Sequence, residues 1–236
     1  MEELENFKKS TDKLVEFLNK WAGPLSERCE KNNSSSQQKA SYYLWLRYSM
    51  SIKTIKQICS IEFFPDLCVI GRCCLEISAS LQAVLSDEQV AQDYLEFEKH
   101  SKSNHYRKFL KKSDDYERIS QAEEHLNKIG VKNPDNYKKK CWYKYGYAQL
   151  VETYKGEKDR ELYFFLSDYV HSSINAFKIT KDMRSCQKLL EKTIKLVYSD
   201  YIILTKSFLD NVWDEIIIGD RDKCENEFIE IAKLNY

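Results

Sequence analysis

Glycine and proline are scarce, with only 6 Gly and 3 Pro in 236 residues. That leaves too little turn chemistry for an all-β fold. The glycine patterns G-x-G-x-x-G, G-x-x-x-x-G-K-[ST] and G-x-S-x-G are all missing, which excludes dinucleotide-binding, P-loop and α/β-hydrolase architectures. Charge of one sign is missing too. There are 37 Lys+Arg against 37 Asp+Glu, so a histone-like or coat-like nucleic-acid binder is excluded and any contact with nucleic acid must rest on a local patch. The start, Met1-Glu2-Glu3-Leu4-Glu5, lacks the basic flank and apolar run of an export signal, so a cytoplasmic location is expected.

Cysteine is present but unpatterned. The eight residues Cys29, Cys59, Cys68, Cys73, Cys74, Cys141, Cys186 and Cys224 form no C-x-x-C pair, and a cytoplasmic chain keeps them as reduced core thiols. The four histidines are not spaced with them as zinc ligands, so neither a metal nor a cofactor is expected. The longest apolar run, Leu67 to Leu85, contains Arg72, Glu76 and Gln82, and the cost of placing those ions in lipid argues against a membrane span or a membrane partner.

What is abundant is apolar and aromatic side chain, 42% and 13% of residues, enough for a substantial core. The apolar positions recur at helical spacing nearly throughout. Leu4, Phe7, Leu14, Phe17, Leu18 and Trp21 define a first helix that Gly23-Pro24 is expected to end, followed by a mobile polar loop over 31–38. A second helix is expected over 39–59 and a third over 65–86. The third is apolar on nearly every face and therefore central. Ser86-Asp87-Glu88 opens a fourth helix, whose early acids and late bases suit the helix dipole. Further helices are expected over 114–128, 147–154, 158–177, 181–217 and 221–233. The predicted fold is all-α, one bundle of eight to nine helices: an N-terminal helix and loop (1–38), a core bundle (40–217) and a short C-terminal helix (221–234).

Four constellations carry chemistry. Arg72 and Glu76 share one face of the apolar third helix, where an ion pair is either a ligand or active site or a polar staple between helices. Ser167 and His171 also stand at i and i+4, one turn after Tyr163. Histidine is the natural proton shuttle near neutral pH, with Ser167 as its partner rather than as a nucleophile. Lysines and aromatics interleave from Tyr137 to Tyr147, including Trp142, Tyr143 and Lys144. They form either a phosphate- and base-binding strip or a loop whose rings pack back on the bundle. Arg118-x6-His125 fits the Arg-x(4–6)-His pattern of HEPN ribonucleases, a spacing that chance readily supplies with four histidines in the chain.

The helix Leu67-Cys-Val-Ile-Gly-Arg72-Cys-Cys-Leu-Glu76-Ile is similar to the R-x-x-x-E helix of a bacterial all-helical family of unknown function, DUF5677. Trp142 and then Tyr163-Phe-Phe-Leu-Ser167-Asp-Tyr-Val-His171-Ser-Ser resemble its second block. The sequence departs from that pattern at Ser172, where many members carry proline. The resemblance spans about residues 40–210 and singles out Arg72, Glu76, Trp142, Tyr163, Ser167 and His171.

The expected site joins Arg72, Glu76, Ser167 and His171 as catalytic residues, with Tyr163, Trp142, Tyr143 and Lys144 binding substrate. The expected activity is an RNA- or nucleotide-directed, metal-independent one in a defence or toxin protein, HEPN-like in chemistry. The alternative is a helical module that dimerises or senses a ligand, with the same cluster structural. A homodimer suits the long amphipathic helices.

Overall fold

The third apolar stretch folds as its composition demands. In the computed structural model, which describes residues 2–31, 33–110, 116–117, 120–121, 124, 142–143, 145–170, 183–212 and 218–233, it forms a helix, α3, over Phe64–Ser86, with Pro65 in its first turn. Proline there gives up an amide that has no intrahelical partner. Before it come α1 (Glu2–Cys29) and α2 (Ser36–Ile58). After it come α4 (Glu88–Leu110), α5 (Tyr147–Lys155), α6 (Glu157–Val170), α7 (Met183–Val212) and α8 (Ile218–Lys233). Among the described residues there is no strand, and the all-α architecture holds.

α3 is long and apolar enough to cross a membrane, yet 67% of its most apolar window is buried against protein. α2, α4, α5, α6 and α7 all pack on it, so neighbouring helices take up its apolar faces. α6 and α7 approach so closely that a Cβ added at Gly71 would meet Thr193 Cγ2 at 3.0 Å and Leu166 Cδ1 at 3.4 Å. Gly71→Ala sets a gain in helix propensity of about 1 kcal/mol against that tight contact, so the two nearly cancel. Gly71→Val adds two further carbons with no room for them, and is expected to lower stability by about 1–3 kcal/mol. Thermal melts of the two variants check this, and equal melting temperatures would refute it.

Three boundaries differ from the sequence reading, α8 beginning at Ile218 rather than at 221. α1 does not end at Gly23-Pro24 but runs on to Cys29 with Pro24 inside it. Leu25 and Cys29 extend the buried stripe of Leu14, Leu18 and Trp21 at 0% exposure, and that packing outweighs the lost backbone hydrogen bond. α2 starts at Ser36, three residues early, because Ser35 makes a capping box with Gln38. The polar loop before it is correspondingly short and pinned. Ser34 Oγ donates to Arg28 O at 2.7 Å, and the amides of Ser36 and Gln37 donate to the Glu88 carboxylate at 2.9 and 3.1 Å. Burial raises the pKa of Glu88, but those amides outweigh it and hold the carboxylate below its usual range. The expected cap of α4 is present in Asp87, which accepts from the amides of Gln89 and Val90 at 2.7 and 3.2 Å. The helix read over 114–128 lies mostly outside the described residues, as do 171–177 and 213–217 of the two later helices.

α2 and α7 are joined by a polar seam inside the core. Trp45 Nε1 donates to Thr205 Oγ1 at 3.2 Å, Ser49 and Tyr201 share a hydroxyl hydrogen bond of 2.9 Å, and Tyr48 OH donates to Val197 O at 2.8 Å. Trp45 also stacks on Phe208 at 4.8 Å. Each hydroxyl and indole of this seam is thus paired, as buried polar groups usually are.

Seven cysteines are described, all free thiols, and all but Cys73 are fully buried. Burial pushes the thiols of Cys29 and Cys68 up to about 12 from 9.0. The unfolded chain releases those protons near 9.0 and the folded chain holds them, so stability is retained below pH 9 and falls as pH rises from about 9 to 12. Each such thiol should cost about 1.4 kcal/mol per pH unit in that window. Urea unfolding at pH 8, 9 and 10 tests this, and a flat midpoint would contradict it. Cys29→Ala with Cys68→Ala should lessen the alkaline fall without abolishing it, since burial also raises the thiols of Cys74 and Cys224.

Candidate functional site

Arg72 and Glu76 sit on the part of α3 that reaches the surface, with side chains 21% and 20% exposed. Their order, Arg before Glu at i and i+4, is the less favourable one for an isolated helix, so local helix stability is a poor reason for the pair. The third member comes from α6. Arg72 Nη2 donates to Glu76 Oε1 and to Tyr163 OH, each at 3.0 Å, and Tyr163 OH donates to the same Oε1 at 2.9 Å. The three groups close a triangle across the α3–α6 contact. The guanidinium carbon also lies 5.1 Å from the centre of the Tyr163 ring, within cation–π range.

Electrostatics fix the protonation states. Partial burial works against the Arg72 cation, but its hydrogen bond to Tyr163 and the Glu76 charge outweigh it and raise its pKa. Burial, then Glu76, push the Tyr163 phenol up, against Arg72. At neutral pH the site therefore holds a permanent cation and a neutral phenol. Both hydrogen bonds of Arg72 leave from Nη2, while its Nε is buried with no partner. An orphaned guanidinium donor of this kind calls for an acceptor.

Ser167 lies one turn after Tyr163 and donates to the Tyr163 carbonyl at 2.7 Å, a back-bond that leaves its oxygen able to accept. Ser80 does the same to Glu76 O at 2.7 Å. The structure thus brings Arg72, Glu76 and Tyr163 together, with Ser167 on the same face of α6. His171, Lys144 and the Arg118–His125 pair lie outside the described residues.

The aromatic strip corrects the sequence reading at Trp142. Assigned there to substrate, it is 5% exposed and packs edge-on against Tyr94 of α4 at 5.4 Å. Tyr143 is half-buried, with Tyr145 and Tyr154 at 6.2 and 6.4 Å. Trp142 is core and Tyr143 packs against it, whereas Tyr145 is 66% exposed.

A second polar cluster escaped the sequence reading. Asp200 of α7 is bonded by Lys155 of α5, by Ser78 of α3 and, at 3.4 Å, by Tyr48 of α2. The Lys155 and Asp200 side chains are each 11% exposed. Asp159, one turn before Tyr163, has its pKa raised by burial, lowered by Lys155 and raised again by Asp200. Asp200 stands in register with Val197, Tyr201 and Leu204 on the buried face of α7, and that acid in an apolar stripe was the available signal. Among the described residues no three His, Cys, Asp or Glu side chains converge as a metal site.

Neither the curated proteins nor the solved structures give a match to the chain. A family model does, over residues 38–185, more than half of the chain, from the first turn of α2 to the start of α7 and including Arg72, Glu76, Tyr163, Ser167 and His171. The chain belongs to DUF5677, a family of unknown function.

Proposed function

We propose that the chain is an RNA- or nucleotide-directed enzyme of a defence or toxin system, working on a phosphodiester without a resident metal. The observation that carries this reading is the fixed guanidinium of Arg72, held by Glu76 and Tyr163 at a partly exposed position. A pre-oriented cation of this kind stabilises charge that develops on phosphate oxygens. Arg72 takes that role and His171 moves the proton. In RNA, a 2′-hydroxyl gives its proton to His171 and its oxygen bonds to phosphorus. The bond from phosphorus to the 5′-oxygen breaks, and that oxygen takes a proton from a general acid. The products are a 2′,3′-cyclic phosphate and a 5′-hydroxyl. Glu76 and Tyr163 are positioning residues that hold the guanidinium.

The second reading is a non-enzymatic module that dimerises or senses a ligand, with the triangle as a staple between α3 and α6. It is favoured by the way Arg72, Glu76 and Tyr163 satisfy one another.

Expression in a bacterial host separates the two. Wild type should arrest growth and degrade RNA, while Arg72→Ala and His171→Ala should each lower RNA cleavage by about 10²-fold or more and restore growth. Tyr163→Phe keeps the Arg72–Glu76 bond and should retain part of the activity. No toxicity in wild type, or toxicity untouched by both alanine variants, would leave the staple as the answer.

A further inference from the structure

The geometry points to a second arginine, Arg47 of α2, which we infer joins Arg72 to cradle one phosphate ester group above Cys73. The inference rests on the phosphodiester reading of the Arg72 site and deepens it, because nothing in the sequence patterns singled out α2 as part of that site.

The register of α2 against α3 comes first. Gln37 Nε2 donates to Leu85 O at 3.2 Å, so the start of α2 meets the end of α3. Further along, Tyr48 of α2 and Ser78 of α3 converge on the same oxygen of Asp200. The helices are therefore antiparallel, and Arg47 lies level with the turn of α3 that carries Glu76. It belongs to the exposed stripe of α2 with Tyr43 and Met50, while α3 turns Val69, Arg72, Cys73 and Glu76 toward its open face.

Arg47 is also unusual in what it lacks. Arg28 donates to Val212 O, Arg160 pairs with Glu152, and Arg221 pairs with Glu225 and Asp210. The Arg47 guanidinium has no hydrogen bond or ion pair among the described residues, and only its carbonyl is used, by Ser51 Oγ at 3.1 Å. The Cys73 thiol feels both guanidiniums. Burial, then Glu76, raise its pKa, while Arg47 and then Arg72 lower it. Burial, then Glu98, raise the pKa of Tyr94 of α4 while Arg47 lowers it, and α2 packs on both α3 and α4.

Two guanidiniums against one carboxylate leave a net positive charge over Cys73. Arg72 brings an unpartnered Nε, and Arg47 a fork with no hydrogen bond or ion pair among the described residues. Planar, permanently charged forks suit the tetrahedral oxygens of a phosphate ester better than a lysine point charge does. Arg72 is held by Glu76 and Tyr163, while Arg47 has no such hold among the described residues.

The test is binding by the full chain of three probes: inorganic phosphate, adenosine 5′-monophosphate, and a single-stranded RNA hexamer with 2′-O-methyl riboses, which cannot be cleaved. Arg47→Gln is expected to weaken the best-bound probe by about tenfold or more, with Arg47→Lys intermediate and the salt dependence of RNA binding shallower by about one charge. The exposed Lys188→Gln should change nothing, and circular dichroism should show the same helix content in every variant. Tightest binding to the hexamer names RNA as the source of the phosphate, and tightest binding to the monophosphate names a nucleotide. If Arg72→Gln weakens binding and Arg47→Gln does not, the cradle is wrong while the reading of the Arg72 site stands. If wild type binds none of the three probes, both are overturned.

Discussion

Asp200→Ala is expected to lower stability by about 3–5 kcal/mol, read as a fall in the urea midpoint with an unchanged slope. The size follows from what stays behind. Lys155 is only 11% exposed, and without the Asp200 carboxylate its ammonium is a largely buried charge that has lost its direct partner, with Asp159 the carboxylate left nearby. Ser78 loses its acceptor as well, whereas Tyr48 keeps the Val197 carbonyl. The partner experiment separates a lost attraction from an abandoned charge. Replacing both ions with apolar groups, Lys155→Met with Asp200→Leu, leaves neither stranded, so the double variant should be no less stable than Asp200→Ala alone. A double variant clearly less stable than Asp200→Ala alone would show that the pair is net stabilising, contrary to this expectation.

Trp45→Ala is expected to cost a similar amount, about 3–5 kcal/mol. Trp45 is fully buried, stacks on Phe208 with planes 16° apart, and donates its indole N–H to Thr205. Truncation opens a cavity between α2 and α7 in a region where Leu44, Ile52, Tyr201 and Phe208 are almost wholly shielded from solvent, which limits collapse around the void. Trp45→Phe keeps the stack and loses the hydrogen bond, so it should cost well under half as much. Equal losses for the two variants, measured in urea, would assign the effect to the hydrogen bond rather than to the ring.

These sites also show what was legible in the sequence. The all-round apolar pattern of α3 announces a central helix without any knowledge of its neighbours, and Arg72 with Glu76 is visible because i and i+4 fix a common face. Tyr163 was flagged by its block but not by its geometry, since no spacing rule says which residue of another helix will reach across. Lys155 and Asp200 were invisible as a pair for the same reason, being 45 residues apart and on different helices. The misplaced end of α1 has another cause. The Gly23-Pro24 signal is local, and it lost to Leu25 and Cys29, whose burial is a tertiary matter. Trp142 was misassigned because lysines beside aromatics look alike in a binding strip and in a loop that folds its rings inward.

The position of α7 has a consequence for where this family's structural unit ends. The matched segment stops at residue 185, within the first turn of a helix that runs to Val212. Beyond that point α7 supplies Asp200 to the Lys155 cluster, Tyr201 and Thr205 to the seam with α2, and Phe208 to the Trp45 stack. α1 and α8 then close over it, linked by Trp21 and Lys20 to Glu227. The recognisable span and the cooperative unit therefore have different borders. A chain cut at 185 would keep Arg72, Glu76, Tyr163 and His171 but strip α3 of the wall that sets its distance from α6, so in this chain the Arg72 triangle depends on a scaffold that lies outside the matched span.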